Sequence, residues 1–133
     1  MSNGRRAPGP SRPQVSDARL QEIILQGDAQ SLNEAANDLG EYFASGGERE
    51  KLSSSQIRNV LDRLQRMKSF DQNQLQLLRP LLAYAAGRHG GKVKDLQKIS
   101  DNAIQMVQTD KHFLNFKNFF EAIVAYHRYH GGK

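Results

Sequence analysis

Aromatic and basic side chains crowd into the last part of the chain. Residues 111–133 hold six of the ten aromatic residues, with four lysines or arginines against one acid, Glu121. Basic side chains bind phosphate and carboxylate groups, and exposed aromatic rings stack on nucleic-acid bases. The chemistry that this segment offers is therefore recognition of an anion rather than catalysis.

Two histidines of this segment, His127 and His130, are three residues apart, so a helix would place them on one face, as metal ligands require. No carboxylate or third histidine lies near them in the sequence. Exposure to solvent or packing against aromatic rings is the commoner role of such histidines. The phosphate-binding-loop, G-x-S-x-G and H-E-x-x-H motifs are all missing. We therefore predict neither an enzymatic activity nor a cofactor.

Charge is distributed unevenly between the first and the middle third. Residues 14–55 contain three basic and eight acidic residues, whereas residues 56–94 contain eight basic and two acidic ones. This asymmetry suits a polyanionic partner, or a second copy of the chain that meets an acidic face with a basic one. A solvated surface of mixed charge is the alternative.

Arg79 lies inside an apolar run, directly before Pro80. A guanidinium group there must reach solvent or find an anion. Two partners remain open: a carboxylate, Asp62 or Asp71, and a phosphate group. If the helices concerned adjoin, one stripe would contain Arg58, Arg79, Arg88, Lys92 and Arg128.

The aromatic residues of the last segment follow the spacing of a buried helix face. The residues on that face are Phe113, Phe116, Phe120, Ile123 and His127. Packing in a core therefore explains most of the aromatic set better than base stacking does. Phe119 falls off this face and is predicted to be free for an interface.

Apolar residues recur at helical spacing through most of the chain. Capping residues and glycines divide it into five or six helices. The predicted helix starts are Ser16 or Asp17, Ser31 with Glu34 as a capping box, Ser53 to Ser55, Asp71, about Lys92, and Asp110. Pro80 is expected to kink or break the fourth helix. The sequence thus predicts an all-α, compact helical bundle.

Residues 1–15 differ from the rest, because arginine, proline and glycine dominate them. Such a segment cannot bury enough apolar surface to fold, so it is predicted to be a disordered tail before a single helical domain at residues 16–133. The tail has no apolar region typical of a signal peptide, and no apolar run is long enough to span a membrane. The absence of cysteine excludes disulfide bonds and fits a cytoplasmic location.

Three segments together resemble a known family: SSQIR at 54–58, LRPLLAYAAGR at 78–88 and FEAIVAYHRYHGGK at 120–133. In this order and size, the chain is similar over about residues 53–133 to the small helical subunit of type III-A CRISPR effector complexes, the Csm complexes. The resemblance implies a non-catalytic all-α protein that stacks in several copies beside the backbone subunits, and that joins the large subunit in one complex.

The resemblance also implies binding of the guide RNA–target RNA duplex through basic side chains and without reading sequence. Residues implied by position in the motifs are Arg58, Arg79, Arg88, Arg128 and Lys133. Two other functions remain open. One is a stand-alone DNA-binding or nucleoid-type protein with a turn at 68–71, against which the apolar character of the next helix counts. The other is a protein–protein adaptor that binds no nucleic acid.

Overall fold

The structure, a computed structural model, describes residues 12–13 and 15–133, and all regular elements in those residues are helical. Seven α-helices and one 3₁₀ turn follow one another along the chain. They are α1 (Asp17–Ile24), α2 (Ala29–Ala44), the 3₁₀ turn (Ser54–Ile57), α3 (Arg58–Arg66), α4 (Gln72–Gln76), α5 (Leu78–His89), α6 (Gly91–Met106) and α7 (Asp110–Tyr129). Because α4 is a single turn leading into α5, the prediction of an all-α bundle of five or six helices is confirmed.

Capping side chains begin most of the helices, although not always the expected ones. Ser16 caps α1 and Asp71 caps α4, as predicted. The capping box predicted at Ser31 is wrong, because α2 begins one turn earlier, where the carboxylate of Asp28 accepts from the backbone of Gln30 and Ser31. Thr109 rather than Asp110 caps α7, since its hydroxyl accepts from the backbone of His112.

Pro80 lies inside the first turn of α5 and not at the break itself. The break falls at Leu77, so Pro80 is the third residue of α5. A proline is tolerated there because the first backbone N–H groups of a helix have no partner within the helix. Beyond the break, α5 packs against both α3 and α6.

The core is built around the packing of α2 along α7. Phe43 of α2 and Phe116 of α7 are among the largest fully buried side chains. Phe119 is also buried, with only 2% of its surface exposed. The prediction that Phe119 is free for an interface is therefore wrong, because α7 is covered on more sides than one apolar stripe would require.

The end of α2 is closed by a lysine from α6. The ammonium group of Lys92 donates to the carbonyl oxygens of Tyr42 and Ser45 and to the Ser45 hydroxyl, each at 2.8 Å. It also lies 4.4 Å from the centre of the Tyr42 ring. Burial lowers the pKa of Lys92, yet a cation at a helix C-terminus is favourable because the last carbonyl groups carry partial negative charge. Lys92 is thus a structural residue.

We expect Lys92→Met to lower the free energy of unfolding by about 2 kcal/mol, because hydrogen bonds to a charged group contribute about that much. Urea unfolding followed by circular dichroism measures the change. Lys94→Met is the matched control, since Lys94 is exposed on the same helix, and it should change the stability by less than about 0.5 kcal/mol. Equal effects of the two substitutions would contradict a capping role.

The predicted disordered tail, residues 1–15, lies mostly outside the described residues. Its described end lies against α6, where Arg12 forms an ion pair of 3.1 Å with Asp95 and Val15 packs against the core. Tyr42 also donates to Asp95, at 2.6 Å, and burial together with this bond raises the pKa of Tyr42 to about 12.

Within the described residues, no helix is both long and apolar enough to cross a membrane.

Candidate nucleic-acid interface

The five basic residues expected to bind RNA do not share one part of the surface. Arg58 begins α3, Arg79 and Arg88 lie on α5, and Arg128 and Lys133 lie at the end of α7 and just beyond it. Four of them are exposed, whereas Arg79 is half-buried.

Arg79 is held by a carboxylate of the neighbouring helix. Its Nε lies 2.6 Å from Oδ1 of Asp101 and its Nη2 lies 3.2 Å from Oδ2, while Nη1 donates to Gln76. The hydrogen bond, and then the charge, of Asp101 raise the pKa of Arg79. The sequence-based partners, Asp62 and Asp71, are therefore wrong. The bidentate ion pair with Asp101 compensates the charge of Arg79.

Arg88 borders a groove between the 3₁₀ turn with α3 on one side and α5 on the other, which we call the α3–α5 groove. Its volume is about 340 Å³. Val60, Leu81 and Ala85 supply its apolar lining. Its polar lining comes from Ser55, Gln56, Asn59, Tyr84, Arg88 and His89. Among the described residues, no carboxylate lines the groove, so none of them compensates the charge of Arg88 there.

Arg128 and Lys133 border a second hollow, at the end of α7. After Tyr129 the chain turns back through Gly131, whose φ of +94° favours glycine. The backbone N–H of Gly132 then donates to the carbonyl of His127 at 2.8 Å. This turn brings Lys133 to the same hollow as Arg128. The double glycine thus gathers two cations.

The single stripe of five cations does not form. Arg79 and Arg88 are nine residues apart on one helix, which is two and a half turns, so they lie on opposite sides of α5. Arg79 faces α6, whereas Arg88 faces the groove beside α3. Lys92, the fourth member, closes the end of α2 instead. The exposed cations therefore form patches.

One further basic patch was not predicted from the sequence. Arg63, Arg66 and Lys68 surround a hollow of about 430 Å³ between the end of α3 and the start of α4, which we call the α3–α4 corner. The carboxylate of Asp71 lines it too, but that group caps α4. The excess of basic residues at 56–94 was the available signal, although it did not show which residues would meet.

His127 in α7 and His130, which directly follows the last residue of α7, make different contacts. His127 is buried and its Nε2 lies 2.7 Å from the carbonyl oxygen of Leu52, whereas Nε2 of His130 lies 2.7 Å from the side-chain oxygen of Asn37. Within the described residues, no three histidine, aspartate or glutamate side chains are placed to hold a metal ion.

Comparison with known proteins gives one decisive result. The model of the family Csm2 Type III-A matches residues 26–133, which cover α2 to α7. The chain belongs to the Csm2 type III-A family. It is thus a member of the family of small subunits of the type III-A Csm complex. The match extends the resemblance from residue 53 back to the turn before α2, and leaves α1 outside. Comparison with curated proteins and with solved structures gives no match.

Proposed function

We propose that this Csm2 family member is a non-catalytic subunit that binds the guide RNA–target RNA duplex through exposed basic side chains and without reading sequence. The observation that carries the proposal is the difference between two sets of cations. Arg12, Arg19, Lys51 and Arg79 each pair with a carboxylate. In the described part of the chain, Arg58, Arg88, Arg128 and Lys133 do not, and they are exposed.

A duplex held along its backbone needs this kind of surface. Sequence recognition comes from pairing between guide and target, as in other RNA-guided complexes, so the protein needs contacts only to phosphates and 2′-hydroxyl groups. Separate patches of arginine and lysine supply such contacts, each of modest strength and sensitive to salt. A cytoplasmic location and contacts with the backbone and large subunits of the Csm complex belong to the same proposal.

The DNA-binding alternative loses support from the shape of α4 and α5. A helix-turn-helix would place the helix after residues 68–71 in the DNA groove. That helix, α4, is a single turn of five residues, and Leu75, Leu78 and Leu82 of α4 and α5 are buried. No long polar helix is therefore available at this position to enter a groove.

We expect the triple variant Arg88→Ala, Arg128→Ala, Lys133→Ala to bind an RNA duplex about tenfold more weakly than the unchanged protein. It should also show a shallower dependence of affinity on salt, because each lost phosphate contact lowers the slope by about one. Fluorescence anisotropy with a labelled duplex, titrated at several salt concentrations, gives both quantities.

The matched control is the triple variant Arg12→Ala, Arg19→Ala, Lys51→Ala. It also removes two arginines and one lysine, but these three residues are ion-paired in the structure. Its affinity should fall much less. Equal losses would mean that only net charge matters and would contradict a defined interface.

Between the two remaining candidates, Arg58→Ala should lower the affinity for RNA more than Arg79→Ala does, because Asp101 already compensates the charge of Arg79.

Stacking of copies is the second part of the proposal. Asp38 and Glu41 are exposed on α2, and the α3–α4 corner presents Arg63, Arg66 and Lys68. A contact between unlike faces of successive copies builds a filament when its rotation does not close into a ring. Attraction between such patches promotes association at low salt.

We expect Asp38→Lys with Glu41→Lys to abolish self-association of the chain at low salt, as measured by sedimentation velocity. Arg63→Glu with Arg66→Glu should do the same. A mixture of the two variants should associate again, because both contacts between unlike variants then pair opposite charges: native face with native corner, and reversed face with reversed corner. If the mixture stays monomeric while the unchanged protein associates, the acidic face of α2 does not contact the α3–α4 corner.

A further inference from the structure

The α3–α5 groove contains an aromatic ring that the fold leaves in solvent. Tyr84 is 66% exposed, although its neighbours along α5, Leu82 and Ala85, are buried. It lines the groove together with the apolar side chains of Val60 and Leu81. An exposed aromatic ring can stack on a second flat group. Stacking on a nucleic-acid base stabilises binding whichever base is present.

Hydrogen-bonding groups line the same groove. The side-chain oxygen of Gln56 accepts from the backbone of Ser53 at 2.9 Å, so its amide nitrogen is the end left to donate. Asn59 is exposed at the start of α3 and offers both a donor and an acceptor. The edges of nucleic-acid bases carry the same mixture of donors and acceptors.

A cation completes the set. Nη1 of Arg88 lies 3.4 Å from the hydroxyl of Tyr84, a long contact that leaves most of the guanidinium donors unused. In the part of the chain that the structure describes, no carboxylate lines the groove. A guanidinium group in this position suits a phosphate, which it can hold with two parallel bonds.

We propose that the α3–α5 groove binds one unpaired nucleotide of an RNA. The base stacks on Tyr84, its edge meets the amides of Gln56 and Asn59, and its phosphate pairs with Arg88. The volume of about 340 Å³ lies at the lower end of the range for small-ligand sites, which suits a single nucleotide. This inference rests on the proposed RNA binding and adds a preference to it, because bases inside a duplex are stacked on both sides and cannot enter.

The test compares two RNA duplexes that differ only by one unpaired adenosine in one strand. The unchanged protein should bind the bulged duplex about tenfold more tightly than the fully paired one in fluorescence anisotropy, since stacking of one base is worth that order of affinity. Tyr84→Ala should remove this preference. Tyr84→Phe should keep it, because the phenyl ring still stacks, whereas a role through the contact with Arg88 would be lost in both variants.

Tyr129→Ala is the control, since Tyr129 is another exposed tyrosine and lies outside the lining of the α3–α5 groove, and it should keep the preference. Titrations reach about 0.5 mM protein, beyond the usual range of non-specific affinities. If neither RNA binds, the proposed function fails and the inference with it. If both bind equally and Tyr84→Ala changes nothing, duplex binding stands and the inference is wrong. If Tyr84→Ala instead weakens self-association without RNA, the groove is a contact between copies, which also overturns the inference.

Discussion

Gly40→Ala is expected to lower the free energy of unfolding by about 3 kcal/mol, at the upper end of the range for overpacked cores. Gly40 lies where α2 packs on α7. A Cβ atom at this position would come within 2.6 Å of the Tyr126 Cβ and of the His127 backbone nitrogen. Neither is the end of a flexible side chain, so the added methyl group can be accommodated only if the two helices move apart.

The intrinsic preferences of the residues point the other way. Alanine favours a helix over glycine by about 1 kcal/mol, so the sequence alone would predict that Gly40→Ala stabilises α2. The close approach of the two helices outweighs this gain, because separating them loosens the packing of buried residues such as Leu39 and Phe43. The sign of the effect therefore reports on tertiary packing.

Gly87→Ala is the matched control. Gly87 is also inside a helix, α5, but a Cβ there would meet nothing within 4 Å. This substitution should raise the free energy of unfolding by about 0.5–1 kcal/mol. Urea denaturation followed by circular dichroism measures both variants. If Gly40→Ala stabilised the protein as Gly87→Ala is expected to, the α2–α7 contact would be looser than the structure shows.

Local features of the sequence were enough to predict the helices but not every start. The caps at Ser16 and Asp71 depend on neighbouring residues only, and the predictions made from them are confirmed. Asp28 lies only three residues before Ser31, and either side chain can cap a helix. The sequence of residues 28–34 alone therefore does not decide which of the two begins the helix.

The candidate site was predicted in part. Helical spacing alone would have shown that Arg79 and Arg88 lie on opposite sides of one helix. The partner of Arg79 could not be predicted from the sequence. Asp101 lies 22 residues away on α6, and only the packing of α5 against α6 brings the two residues together. The roles of Tyr84 and Lys92 likewise depend on the neighbours that the fold supplies. Which cations contact RNA stays a prediction.

Replacement of a buried histidine is the second large expected effect. His127 is 2% exposed, and its Nε2 donates to the carbonyl oxygen of Leu52 at 2.7 Å. The backbone N–H of Leu52 in turn donates to Phe43 of α2. His127 thereby fastens the connection between α2 and the 3₁₀ turn to α7, and Gly132 packs directly against its ring.

We expect His127→Leu to lower the free energy of unfolding by about 3 kcal/mol at neutral pH, because a buried carbonyl oxygen is left without a donor. Urea denaturation measures the loss. His89→Leu is the control, since His89 is exposed at the end of α5, and it should change the stability by less than about 1 kcal/mol. A similar loss in both variants would contradict the importance of the bond to Leu52.

The pH dependence gives an independent check of the same residue. Burial lowers the pKa of His127 below its ordinary value of 6.5. Between that lowered pKa and 6.5, the unfolded chain binds more protons at this residue than the folded one, so stability rises with pH. The contribution of this residue to stability is complete above pH 6.5 and is lost as the pH falls through the folded pKa.

The free energy of unfolding, measured at about pH 7.5 and about pH 5.5, should therefore fall less on acidification in His127→Leu than in the unchanged protein, whereas His89→Leu should keep the full loss. Identical losses in all three would mean that the ring is not held neutral by burial.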